Sequence, residues 1–383
     1  MKSGLLISFI FSFLISWNIF PQSVKISLFN DQQPETVVFT VVEGQYKFSG
    51  DGEFYSVFQQ DQIFYITVDN GTIQIRDQKK LIGNFSNINF EGIAGENSFQ
   101  LKPVSPSLSS REYDDNLQIS LRNQHLLLIN KVDMEKYLAG VMEAEGGSEA
   151  GIEYYKAQAV LIRTFAINNM FKHATEGFNL CDGVHCQAYK GRSTLNNKIY
   201  KAARETAGQV LVDADSNLIF SPFHSNCGGL TNPAGNVWQN NLPYLQSIRD
   251  PFCTSSRNAQ WEKEIPFSEW KQFLEEKGIN VQSVEDCLFR QDTRKKYYKV
   301  VNNSSVTLRD IRNRWHLKSS FFNVEDRHDS IYLAGRGYGH GVGLCQEGAI
   351  EMAKVGYVYV DILFFYFSNV HLADYRTLDL DKY

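Results

Sequence analysis

What the 383-residue chain has little of narrows it first. Its 38 Lys and Arg against 43 Asp and Glu leave a formal charge of −5, with no basic surplus and no block of like charge. No nucleic acid partner and no charged tail are therefore expected. The chain has no internal repeat and no low-complexity tract. It has no second apolar run comparable to Leu5–Phe20, and that run is itself shorter than the about 20 residues a comfortable transmembrane helix needs. There is no cysteine near residue 23, which argues against a lipid anchor there. What is present, 43% hydrophobic and 13% aromatic, is ordinary globular composition and long enough for two domains.

The N-terminus carries a targeting signal. Lys2, the apolar run and then Pro21-Gln22-Ser23 give a positive start, a short apolar core and a small residue, the pattern of a secretory signal peptide over residues 1–23. An exported, extracytoplasmic chain without a transmembrane helix in its mature part is the expectation. In an oxidising compartment six cysteines become informative.

Two of the six belong to the densest group of ligand-type side chains. His173, Cys181, His185 and Cys186 lie within Lys172–Gly191, and two imidazoles with two thiols can close a tetrahedral site around zinc. Asp182-Gly183 supplies a turn that lets the adjacent His185 and Cys186 face one ion. Four protein ligands leave no open position, so such a zinc would be structural. A surface loop with two scattered histidines and a local disulfide is the other reading. Cys227, Cys253, Cys287 and Cys345 remain, an even number compatible with two disulfides in any of three pairings.

Residues 24 to about 124 read as strands. Val37–Val42, Ile63–Val68 and Thr72–Ile75 alternate or run apolar, the last two split by Asp69-Asn70-Gly71, a hairpin signal. Leu117–Leu121 and Leu126–Ile129 bracket a second hairpin. Two helices follow. Asp133 is a good N-cap, and Met134, Tyr137, Leu138, Val141 and Met142 form one stripe that ends at Glu145 before Gly146-Gly147. Ser148 can cap a second helix whose face runs Ile152, Tyr155, Ala159, Ile162, Ala166 and Met170. Glu143, Glu149 and Glu153 point off these stripes and read as solvated.

Glu145 closes a buried stripe beside two glycines. Desolvation there would raise its pKa and suit it to general acid work, whereas a Glu reaching solvent past the glycines would have no such role. Two later stretches also look like site material, Phe223–Thr231 and Gly335–Ala349, the second with alternating glycines around His340. A phosphate loop is discounted there because no Gly-Lys-Ser/Thr follows. A close backbone approach remains.

These stretches together resemble the SpoIID/LytB family. The resemblance rests on Tyr137–Val141, Glu145, Lys156–Ala166, Gln187–Gly191, His224-Ser225 with Gly228-Gly229-x-Thr231, Tyr244–Asp250 and Gly337–Gly343, in order over about residues 116–372. It implies an α+β protein with a β-rich N-terminal region, 24–115, and a mixed α/β catalytic domain of SpoIID type, 116–383. It implies a lytic transglycosylase acting on peptide-free peptidoglycan glycan strands, with Glu145 as the catalytic residue. The LytB side implies instead a non-catalytic, peptidoglycan-binding activator of a cell-wall amidase. The His/Cys group resembles the zinc site of some members. Gln158, Arg163, Gln187, Tyr189, His224, Ser225, His340 and Gln346 are the expected substrate-binding residues.

Ordinary glycosidases need two carboxylates flanking the bond, but a lytic transglycosylase needs one. A zinc hydrolase is disfavoured by the closed ligand set. The chain departs from the family pattern where Gly146-Gly147 replaces Met-Pro and where Cys227 and Cys345 replace two serines. Both cysteines fall in stretches expected to meet, so a Cys227–Cys345 disulfide is expected, leaving Cys253 with Cys287.

Overall fold

A computed structural model describes residues 23–146, 149–238, 240–302 and 304–379. The 1–22 portion of the expected signal peptide lies outside them, as do Gly147 and Ser148. Seven helices and twenty-two strands among the described residues give an α+β fold. The helices are α1 (Met134–Gly146), α2 (Ile152–Asn168), α3 (Asn197–Glu205), α4 (Phe267–Glu276), α5 (Leu308–Arg314), α6 (Gln346–Lys354) and α7 (Tyr359–Tyr366).

Two sheets build the N-terminal half. One has six strands in the order Arg111–Asp114, Ser98–Ser105, Thr36–Glu43, Ile63–Asp69, Thr72–Arg76, Leu81–Phe85. The turn at Asn70-Gly71 has both residues at positive φ, 48° and 78°, as a tight hairpin needs. The other sheet has seven strands in the order Leu180–Cys181, Ser23–Leu28, His125–Asp133, Asn116–Arg122, Ile88–Gly92, Tyr46–Gly50, Glu53–Phe58. Aromatic rings lock the two faces together: Phe39 stacks on Phe90 at 4.1 Å and Phe58 on Phe64 at 3.8 Å.

The seven-stranded sheet runs continuously across residue 115/116. Strand Ser23–Leu28 is hydrogen-bonded between His125–Asp133 on one side and Leu180–Cys181, parallel, on the other. The apolar cores divide elsewhere. One extends from Val24 through the helices to Tyr375, and a second gathers Ile265 to Leu333, where Trp270 stacks on Trp315.

The helix layer holds the site. Asp133 Oδ1 accepts from the Glu135 N–H at 2.9 Å and the Lys136 N–H at 3.3 Å, capping α1. Asp133→Ala is expected to cost about 1 kcal/mol in denaturant unfolding, and an unchanged midpoint would remove the cap from the account. The stripe Met134, Tyr137, Leu138, Val141, Met142 is buried. Helix α2 starts at Ile152 from Gly151, without a side-chain cap. It is buried on nearly every face rather than on one, being packed among α1, α3, α6 and α7. Among the described residues no helix is long and apolar enough to cross a membrane.

Candidate active site

The end of α1 presents Glu145 half-buried. Its Oε1 accepts from the Ala188 N–H at 2.7 Å, and its backbone carbonyl accepts from Gln346 Nε2 at 3.4 Å. Burial raises the Glu145 carboxyl above its ordinary value, against the opposing pull of the Ala188 N–H and of Lys190. The proton is therefore retained to higher pH than on a solvated Glu.

The other carboxylates near it are committed. Glu143 accepts from Ser193 Oγ at 2.7 Å and from the Thr194 and Leu195 N–H groups, so it ties down a loop and is not simply solvated. Glu153 pairs with Lys156 at 2.9 Å and accepts from the Tyr359 N–H, which also corrects its reading as solvated. Glu149 is exposed. Glu347, which sequence patterning does not single out, accepts from Asn226 at 2.7 Å, Ser256 at 2.5 Å, Asn258 and Ser225.

The His/Cys stretch forms the wall that presents Ala188. The four donor atoms of His173, Cys181, His185 and Cys186 lie within 4.8 Å of one another. Cys186 Sγ is 3.5 Å from His173 Nε2, and His185 Nδ1 is 3.7 Å from both sulfurs. A tetrahedral zinc with Zn–S of about 2.3 Å and Zn–N of about 2.0–2.1 Å sets sulfur and nitrogen about 3.6 Å apart, so the donor set has the right size. The turn read at Asp182-Gly183 is present, with the Cys186 N–H donating to the Gly183 carbonyl. Asp182 anchors it, accepting from the Phe29 N–H at 2.9 Å and from Arg111 at 2.8 Å. Behind His173, Nδ1 meets Glu176 Oε1 at 2.5 Å, and Glu176 in turn accepts from Arg122 at 2.8 Å. Such carboxylate backing orients a ligating imidazole. Gln187, next along, accepts from Tyr137 Oη at 3.1 Å, so the loop meets α1 on both sides of Ala188.

The glycine-rich stretch lies against residues 222–228. A Cβ on Gly343 would sit 2.1 Å from the Pro222 carbonyl oxygen, and one on Gly337 would sit 2.6 Å from that of Asn226; both glycines have positive φ. The alternation is thus a close backbone approach. It brings His224 and His340 to 5.4 Å between ring centroids. His224 Nδ1 donates to the Val342 carbonyl at 3.1 Å, while His340 Nδ1 accepts from the Val342 N–H at 3.0 Å. Burial drives His224 well below its ordinary value and pushes His340 down to about 4, so both rings are neutral near pH 7. Trp238, also missed in the sequence, lies 5.3 Å from His340.

The expected site residues thus separate. Glu145, Gln187 and Gln346 come together, with Ser225 and the two histidines along the strand pair Phe223–His224 and Leu344–Cys345. Three others are corrected. Arg163 is fully buried, paired with Glu135 and donating to the carbonyls of Gln209 at 3.0 Å and Ala203 at 3.1 Å. Tyr189 is fully buried among Tyr113 and Tyr137 and donates to Asn130 Oδ1. Gln158 is 1% exposed inside the helix layer. None of the three offers a surface to a glycan.

The disulfides are corrected as well. All six cysteines are free thiols. Cys287 is buried in the second core, its Sγ facing the Ser283 carbonyl, and Cys253 belongs to the first. Cys227 and Cys345 do meet, but as part of a larger group with Cys253 and Asp250.

Residues 122–212 match the family model described as stage II sporulation protein, SpoIID. An uncharacterized protein of Brachyspira hyodysenteriae is 28% identical over 368 residues, 93% of this chain and 97% of its own. Stage II sporulation protein D of Bacillus subtilis is 28% identical over 270 residues, 67% of this chain and 78% of its own. A protein of the same bacterium named amidase enhancer is 26% identical over 381 residues, 82% of this chain but 51% of its own, so the chain spans about half of that relative. Glu145, the four His and Cys donors and Ala188 all fall in the matched segment, so the part of the chain that is similar to the SpoIID family is the part that carries the candidate site.

Proposed function

We propose that the protein acts in the cell wall, outside the cytoplasm, as a lytic transglycosylase on peptide-free peptidoglycan strands. The observation that carries this is Glu145, a half-buried carboxyl held by a single backbone N–H, that of Ala188, beside Glu143, Glu153 and Glu347, which are each tied to several protein donors. A retaining or inverting hydrolase needs two working carboxyl groups. One suffices when the nucleophile belongs to the substrate. Protonated Glu145 gives its proton to the glycosidic oxygen as the bond to the anomeric carbon breaks. The resulting carboxylate takes the proton of the N-acetylmuramate C6 hydroxyl, whose oxygen bonds to the anomeric carbon. The strand then ends in an anhydro ring, and Glu145 is protonated again.

His173, Cys181, His185 and Cys186 would hold a structural zinc that fixes residues 180–188, and with them the Ala188 N–H on Glu145. Glu176→Gln removes the carboxylate behind His173, so zinc affinity in chelator competition is expected to fall about 10–100-fold. Unchanged affinity would detach Glu176 from the metal.

The second reading is a strand-binding activator of an amidase, supported by the relative named amidase enhancer. Mass spectrometry of strand ends after incubation with the purified protein separates the two. Anhydro ends support the transglycosylase. Reducing ends would overturn it in favour of hydrolysis, and strand binding without cleavage would favour the activator.

A further inference from the structure

A second group of ligand-type side chains lies apart from the His173–Cys186 group and is wholly buried. Cys227, Asp250, Cys253 and Cys345 each contribute a donor atom, and the four atoms lie within 4.8 Å of one another. Cys227 Sγ is 3.4 Å from Cys253 Sγ and 3.2 Å from Asp250 Oδ2. Tetrahedral zinc–sulfur bonds of about 2.3 Å set sulfurs about 3.8 Å apart, so little movement would bring these atoms onto one ion.

Three features of the surroundings point the same way. Two backbone N–H groups are aimed at sulfur, Cys227 N at Cys345 Sγ at 3.2 Å and Gly229 N at Cys253 Sγ at 3.3 Å, as suits a thiolate. The backbone acceptors facing the Cys253 and Cys345 sulfurs are 3.9 Å away, poor partners for a thiol proton. Asp250 is fully buried and, among the described residues, has no Lys or Arg in ion-pair contact. Its Oδ2 accepts from Tyr366 Oη at 2.9 Å, its Oδ1 accepts from the Phe252 N–H, and α6 can pass above it only because residue 348 is Gly: a Cβ there would meet Oδ2 at 2.4 Å. A buried carboxylate among thiols, without a cation, is costly unless it keeps its proton or something positive sits there. Arg294, 7% exposed, reaches only the edge of the group, donating through Nη2 to the Cys227 carbonyl at 2.5 Å.

We propose that Cys227, Asp250, Cys253 and Cys345 form a second, closed metal site that takes one zinc ion. Three soft donors and one carboxylate oxygen suit zinc, and four protein ligands leave no place for substrate. The ion would pin three separate segments, the turn after strand Phe223–His224, the segment 250–253 and the start of α6. These segments carry Ser225, Asn226 and Gln346, so the site would brace the residues that meet Glu145 through Gln346 as the first group braces the Ala188 loop. This holds whether or not the protein cuts strands.

The test is metal analysis of the purified full chain with thiol alkylation and peptide mass spectrometry. Two zinc ions per chain are expected, falling to one in Cys345→Ser and to one in His173→Ala. If Cys345→Ser does not fold, the wild type alone decides: Cys227, Cys253 and Cys345 are expected to resist alkylation until a strong chelator is added, then to react together. One ion per chain with these three thiols reactive from the start would overturn the proposal. So would a disulfide between any two of them in the native protein.

Discussion

Glu145→Gln is expected to cut strand cleavage about a hundred- to ten-thousand-fold while strand binding persists. The substitution keeps the acceptor for the Ala188 N–H, so the local geometry survives and only the transferable proton is lost. Wild-type cleavage should fall as pH rises through the raised Glu145 pKa, because the acid form starts the reaction. The sign for stability follows from the same shift. The folded protein holds this proton more tightly than the unfolded chain, so Glu145 costs stability above the ordinary carboxyl range, fully once pH passes the raised folded value. Glu145→Gln is therefore expected to melt at or above the wild-type temperature at neutral pH. Cleavage at the wild-type rate would remove Glu145 from the mechanism. Lost cleavage with a lowered Tm would report damage rather than chemistry.

Arg163→Ala has the largest expected effect on folding, a loss of about 3–5 kcal/mol in denaturant unfolding. The guanidinium is fully buried and joins three elements: Glu135 of α1, the Ala203 carbonyl of α3 and the Gln209 carbonyl at the start of strand Gln209–Val212. Its removal strands Glu135, whose side chain is 18% exposed, and frees two carbonyls. Arg163→Lys keeps the charge but cannot span three acceptors, so an intermediate loss is expected. Weakened strand binding with an unchanged Tm would restore a substrate-contact role to Arg163.

These two residues also show what a sequence can reveal. The α1 stripe, its Asp133 cap and the Asn70-Gly71 hairpin depend on near neighbours, and they were legible. So was the spacing of His173, Cys181, His185 and Cys186, because one loop carries all four. Arg163 was not, because a helical stripe identifies one buried face and cannot reveal that α3 and α7 cover the others. Glu347 looks like any helix-start glutamate until Asn226, Ser256 and Asn258 arrive from elsewhere in the chain. The cysteine pairing failed for the same reason: even numbers invite pairs, whereas the fold gathers three thiols around Asp250 and leaves Cys287 in another core. The division expected at residue 115 missed the strand at Ser23–Leu28, whose partners come after it.

That strand has a kinetic consequence. Lys25 donates to Asn179, 154 residues later, and Ser27 pairs with both Ile129 and Cys181. The first of the described strands must therefore wait for residues 125–133 to pair one edge and for residues 180–181 to pair the other. Closing contacts at such separations makes folding slow, and an open apolar strand is vulnerable to pairing with other chains in the interval. The loop that presents the Ala188 N–H to Glu145 can settle only after that interval ends, so assembly of the Glu145 site is coupled to a long-range pairing.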